Sequence, residues 1–111
     1  MVKILFVCNA NCNRSPTFEK YFSDNYPKLD VRSCGIYYGY PFQLDRNLLE
    51  WADEVYVMTL PMAKHISQRY PQHVEKVVIL GIEDIYNPHD PQLIELIQWF
   101  ETSRFWKHQQ P

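Results

Sequence analysis

No apolar run in this chain approaches the ~20 residues that a membrane-spanning helix requires, and the mean hydropathy is negative. A basic stripe is also missing. Eleven Lys and Arg stand against thirteen Asp and Glu, a formal net charge of −2. The cations are scattered, so neither a nucleic-acid surface nor a disordered acidic tail is expected. Three cysteines are odd in number and too few for a disulfide scaffold, which leaves thiol chemistry open. Internal repeats, low-complexity tracts and linkers are absent. A length of 111 residues leaves room for one core, and a single domain over 1–111 is expected. The opening run Val2–Val7 is too short for a signal peptide and no small-residue cleavage site follows it, so the expected location is cytoplasmic.

What is present alternates. Four short β-branched or apolar runs, Val2–Val7, Asp30–Ser33, Glu54–Met58 and Lys76–Leu80, have the length of strands. The first and last are apolar almost throughout, as strands buried in a parallel sheet are. Helical spacing fills the gaps. Pro16 to Tyr26 puts Phe18, Tyr21, Phe22 and Tyr26 on one face, with Ser15 as N-cap and Pro16 at the first position. Leu44 to Ala52 aligns Leu44, Leu48, Leu49 and Ala52, and Pro61 to Tyr70 aligns Met62, Ile66 and Tyr70 behind a Thr59 cap. Pro91 to Phe105 aligns Leu93, Ile94, Ile97 and Phe100 behind Asp90-Pro91. The order β-α-β-α-β-α-β-α predicts an α/β three-layer sandwich, a four-stranded parallel sheet flanked by helices and joined by right-handed crossovers. Ligands of such sheets sit beyond the carboxyl ends of the strands. Function is therefore expected in the four loops after Val7, Ser33, Met58 and Leu80.

The first of these loops, Cys8-Asn9-Ala10-Asn11-Cys12-Asn13-Arg14-Ser15, lies between a strand and a helix start. Unpaired N–H groups and the positive end of the helix dipole attract an anion there. Successive N–H groups of a tight loop form a concave nest for it. Arg14 can close the ring with a planar fork of donors matched to phosphate oxygens. The same field favours the thiolate form of Cys8, and the Ser15 hydroxyl can donate to that sulfur. A nucleophile, an oxyanion cradle and a charge clamp thus fit within eight residues.

Cys-x5-Arg-Ser-Pro after an N-terminal strand resembles the low-molecular-weight protein tyrosine phosphatases. The run Ile4-Leu5-Phe6-Val7-Cys8-Asn9-Ala10-Asn11-Cys12-Asn13-Arg14-Ser15-Pro16-Thr17 is similar to that family's opening segment. Val31-Arg32-Ser33-Cys34-Gly35 at the second strand and Leu48-Leu49-Glu50-Trp51-Ala52-Asp53 before the third extend the likeness over most of the chain. The length fits a compact bacterial subgroup. The resemblance implies a metal-independent, cofactor-free phosphomonoesterase. Its substrate would be a phosphotyrosine protein or a small aryl phosphate, its intermediate a cysteinyl-phosphate, and inorganic phosphate its product. It makes Cys8 the nucleophile and Arg14 the phosphate-binding, transition-state-stabilising group. Ser15 becomes the hydroxyl that supports the thiolate, and Asn11 the asparagine that keeps the cradle in shape. The chain departs from the pattern at Ala10, where the family has glycine, and at Asn13, where it has a second cysteine. Cys12 sits one place earlier than that cysteine.

The reaction needs a proton for the leaving oxygen and then a base for water. The resemblance places this carboxyl in Gly81-Ile82-Glu83-Asp84-Ile85-Tyr86-Asn87-Pro88-His89-Asp90-Pro91, after the fourth strand. Asp84 matches the Ile-x-Asp phase, with Glu83 in place of a proline, and is placed ahead of Asp90. A helix N-cap already accounts for Asp90. Glu83 and His89 are outside candidates, and Tyr86 is expected to flank the acid or line the mouth of the site. Competing readings are a catalytically weak phosphate- or phosphoprotein-binding module on the same fold, and a phosphocysteine carrier, whose loop ordinarily lacks the arginine. Arsenate reduction needs two late cysteines that this chain lacks. A metal site from Cys8, Cys12 and a histidine lacks a second close ligand pair. Cys12 and Cys34 read as packing residues, and Tyr37, Tyr38 and Tyr40 as an aromatic wall or a packed lid.

Overall fold

The computed structural model describes residues 1–9, 14–36, 43–83, 85–87 and 90–105. Four parallel strands, β1 (Lys3–Cys8), β2 (Asp30–Gly35), β3 (Glu54–Val57) and β4 (Val77–Ile79), form one sheet in the order β2-β1-β3-β4. Helices α1 (Arg14–Asn25), α2 (Arg46–Trp51), α3 (Leu60–Arg69) and α4 (Pro91–Ser103) follow them in turn. A 3-10 segment, Pro71–Lys76, precedes β4 and was not anticipated from the sequence. No helix among the described residues is long and apolar enough to cross a membrane.

The strand β1 is central, and Ile4, Leu5, Phe6 and Val7 are all fully buried. Alternation along a strand sends successive side chains to opposite faces. Phe6 leads the face covered by α1 and α4. Its ring lies 4.9 Å from Phe18, 5.6 Å from Phe22, 5.6 Å from Tyr56 and 6.3 Å from Phe100. Phe105 closes this cluster 4.5 Å from Phe22. Truncating such a ring to alanine typically costs about 3–5 kcal/mol. The other face carries Leu5, Val7, Val55 and Val57, all buried. The right-handed crossovers place α2 and α3 over it, where Leu49, Met62 and Ile66 supply fully buried or nearly fully buried side chains.

Three expectations are corrected. The fourth strand is not buried on both faces: Val78 and Ile79 are exposed, because β4 is an edge of the sheet and covers only three residues. The second strand runs on through Cys34 to Gly35, so its rim begins two residues later than Ser33. Ser15 is not the N-cap of α1. The helix begins at Arg14, and Ser15 turns its hydroxyl inward to Cys8 and Cys34. Thr59 occupies the cap position of α3 without a capping side-chain bond. Asp90 does cap α4, accepting from the Gln92 N–H at 2.9 Å, with Pro91 first in the helix.

Candidate active site

Cys8 is the last residue of β1, beside Gly35 at the end of β2, and is 2 % exposed. Regular alternation puts its side chain on the Phe6 face, where α1 begins. Its sulfur lies 2.9 Å from the Ser15 hydroxyl. Ser15 is fully buried and also donates toward the Cys34 carbonyl at 3.3 Å. The backbone pins the start of the loop: Ile36 N–H donates to the carbonyls of both Cys8 (3.1 Å) and Asn9 (2.8 Å). The end of β2 thus holds the segment in which the chain leaves β1.

Arg14 opens α1 with only 1 % of its surface exposed, which makes it the largest fully buried side chain described. Desolvating a guanidinium carries a penalty of several kcal/mol unless its donors are satisfied. One donor, Nη1, reaches the Ile82 carbonyl at 2.6 Å, across 68 positions of sequence. The loop after β4 is fastened in turn: Leu80 N–H donates to Val57 at 2.9 Å and Ile82 N–H to Met58 at 2.8 Å. Between them Gly81 has φ +76, a left-handed angle. Neither the Ile82 carbonyl nor the Cys34 carbonyl was foreseen as part of the site. Backbone acceptors leave no residue-type signal, although the lone glycine after Leu80 marks the turn.

Of the sequence-predicted site residues, the structure joins Cys8 to Ser15 and buries Arg14 next to Ser15 at the start of α1, with Asn9 directly after Cys8. Ala10, Asn11, Cys12, Asn13, Asp84 and His89 lie outside the described residues, as do Tyr37, Tyr38 and Tyr40. Glu83 is exposed and Tyr86 packs half-buried against the core. Cys34 is fully buried. Burial first, then the neighbouring Cys8 and the Asp45 carboxylate, push its thiol well above the ordinary cysteine range. A thiol held protonated in this way is a poor nucleophile and a packing residue, as expected.

The arrangement can bind an oxyanion at a helix start and offer it a sulfur nucleophile. A cysteine at the C-terminal end of a central parallel strand, supported by a hydroxyl and followed by a buried arginine, defines a cysteine-dependent phosphatase site on an α/β sheet. No family model matches the chain. A curated relative, the low molecular weight protein-tyrosine-phosphatase Ptp of Acinetobacter johnsonii, is 32 % identical over 90 % of this chain and 87 % of its own length. The YwlE arginine phosphatase of Geobacillus stearothermophilus shares the fold at a TM-score of 0.77 and 21 % identity, covering 98 % of this chain and 96 % of that one. The tyrosine phosphatase Wzb of Escherichia coli K30, solved with phosphate, superposes at a TM-score of 0.74 and 20 % identity, with 96 % of each chain covered. The chain belongs to the low molecular weight protein-tyrosine-phosphatase family. It is a cysteine-based hydrolase of phosphorylated substrates, with phosphate as product.

Proposed function

We propose that the chain hydrolyses aryl phosphate monoesters, phosphotyrosine among them, through a cysteinyl-phosphate on Cys8. The observation that carries this reading is the Cys8–Ser15 contact of 2.9 Å beside a buried Arg14. In the first step the Cys8 sulfur attacks phosphorus, the ester P–O bond breaks, and the departing phenolate takes a proton from a carboxylic acid. In the second, water attacks phosphorus, the P–S bond breaks, and the same carboxylate takes the proton of the water. Arg14 and the loop N–H groups stabilise charge on the equatorial oxygens in both transition states.

Asp84 is the acid in this scheme. It follows Ile82 by two positions, at most about 7 Å of chain, and the Ile82 carbonyl is in contact with Arg14. Asp90 already serves as the cap of α4. The role of Cys8 requires a reduced sulfur, so a cytoplasmic setting, where thiols are kept reduced, is part of the proposal.

The test is turnover of para-nitrophenyl phosphate and of a phosphotyrosine peptide with EDTA present, comparing wild type with Cys8→Ser and Arg14→Ala. Metal-independent turnover abolished by either substitution supports the proposal. Wild-type protein that binds phosphate but turns over neither substrate would instead be a phosphate-binding module.

A further inference from the structure

Gly81 is the one glycine among the described residues with a positive φ, +76. A side chain there meets no described atom: an ideal Cβ has nothing within 4 Å. Crowding therefore does not require glycine at this position; the backbone angle does. That angle has a definite product. On either side of Gly81 the chain keeps hydrogen bonds to the end of β3 and the residue after it, from Leu80 to Val57 at 2.9 Å and from Ile82 to Met58 at 2.8 Å. Between those two fixed points the left-handed residue turns the strand end so that the Ile82 carbonyl meets Arg14 Nη1 at 2.6 Å. Ile82 is itself buried, with 6 % exposed, and its side chain anchors the turn in the core.

We propose that Gly81 is a positioning residue for the phosphate-binding arginine: its backbone angle aims the Ile82 carbonyl, and that carbonyl sets the plane of the Arg14 guanidinium. This rests on the reading of Arg14 as the phosphate clamp. A guanidinium presents five N–H donors in one rigid plane. Fixing one of them on a carbonyl fixes the direction of the rest, and two-pronged recognition of phosphate depends on that direction. Gly81 touches no substrate and acts only through Ile82 and Arg14.

The test is a series at one position, Gly81→Asn, Gly81→Ala and Gly81→Val, in the full chain. It is read by calorimetric affinity for inorganic phosphate and for vanadate, by kcat and KM for para-nitrophenyl phosphate, and by Tm. Asparagine visits the left-handed region readily, alanine less so and a β-branched residue hardly at all. Phosphate affinity is expected to stay within about twofold of wild type in Gly81→Asn, to fall about fivefold in Gly81→Ala and to fall about tenfold or more in Gly81→Val, tracking the tolerance of each side chain for that angle. The loss appears in KM as well as kcat, in protein still folded at the assay temperature, and asparagine restores both. If Gly81→Val does not fold, the alanine–asparagine pair carries the comparison. Folded alanine or valine variants that bind phosphate as wild type does, while Arg14→Ala binds it weakly, overturn the inference and leave the arginine's role standing. An Arg14→Ala variant with unchanged phosphate affinity overturns both.

Discussion

Replacing Ser15 with alanine probes the sulfur directly. The hydroxyl lies 2.9 Å from Cys8 Sγ and 3.3 Å from the Cys34 carbonyl, with no exposure to solvent. A hydroxyl has one proton to give and lone pairs to receive. While Cys8 is a thiol, its S–H can donate to Ser15, whose own proton then goes to the Cys34 carbonyl. When the sulfur carries charge, the hydroxyl turns its proton to the sulfur. In the phosphoenzyme the sulfur is bonded to phosphorus and is a poor acceptor. As the P–S bond breaks, charge returns to the sulfur and the bond from Ser15 becomes charge-assisted. Such a bond is worth ~1.5–3 kcal/mol, so its removal should slow breakdown of the intermediate by about 10- to 150-fold. Formation of the intermediate takes charge away from the sulfur as the S–P bond forms, so it is slowed much less. Ser15→Ala should therefore release one equivalent of nitrophenolate per active site in a burst, followed by slow turnover, and acid quenching should trap phosphoprotein. The neutral bond to Cys34 is worth ~1 kcal/mol, a fall of about 4–6 °C in Tm, which still permits the assay at 25 °C. A kcat within twofold of wild type and no burst would show that the hydroxyl does not support the sulfur, and Ser15 would be a packing residue.

Asp84→Asn should slow esters with poor leaving groups far more than activated ones, whereas Asp90→Asn should leave the leaving-group slope unchanged. Asp90→Ala should lower stability by about 1 kcal/mol through loss of the α4 cap, and identical slopes for Asp84→Asn and wild type would remove Asp84 from the mechanism. Burial, and secondarily Arg69, hold His65 below its ordinary range. Below about pH 6.5 the unfolded chain then takes up this proton more readily than the folded one, so stability declines as pH falls through that window. His65→Gln should flatten the decline in Tm between pH 7 and pH 5, and an unchanged slope would refute the assignment. Glu101 of α4 accepts from the phenols of Tyr21 at 2.8 Å and Tyr26 at 2.5 Å, both on or just after α1. Glu101→Ala should lose about 1–3 kcal/mol in urea titration, with the Tyr21→Phe/Tyr26→Phe pair losing a similar amount. Burial, then Glu101, also raises the Tyr21 phenol above its usual range, so it stays protonated into alkaline solution.

The strands, and the two ends of the loop that follows β1, could be read from the sequence because their signals are local. Ile4 to Val7 is an unbroken apolar run, and the cysteine, arginine and serine that follow are fixed in spacing by the strand–loop–helix turn they occupy. The edge position of β4 could not be read in this way. Val77-Val78-Ile79 has the composition of a central strand, and only the order β2-β1-β3-β4 leaves one side of it without a neighbour. The role of Ser15 was half legible. Serine before proline at a helix start is a common cap pattern, but here the helix begins one residue earlier, so the hydroxyl points to sulfur and not to the first turn. The Arg14–Ile82 contact was invisible because it joins a side chain to a backbone oxygen 68 positions away. Every residue, proline included, carries a similar backbone oxygen, so nothing in residue type announces it.

The register of β1 with β2 also decides what Cys34 is for. Cys8 pairs with Gly35 and Val7 with Cys34. Paired residues in a sheet share a face, and neighbours along a strand do not. Cys34 therefore lies on the face of Val7, under α2 and α3, while Cys8 lies on the face of Phe6 and reaches Ser15 on α1. The two thiols are close through the backbone yet point apart, whereas a disulfide needs its Cβ atoms within about 4.5 Å and aimed at one another. What Cys34 gives the site is its carbonyl, the second acceptor for the Ser15 hydroxyl. Its sulfur, buried and held protonated, packs the opposite layer. A parallel sheet can thus place a reactive and an inert cysteine one residue out of register without letting them meet.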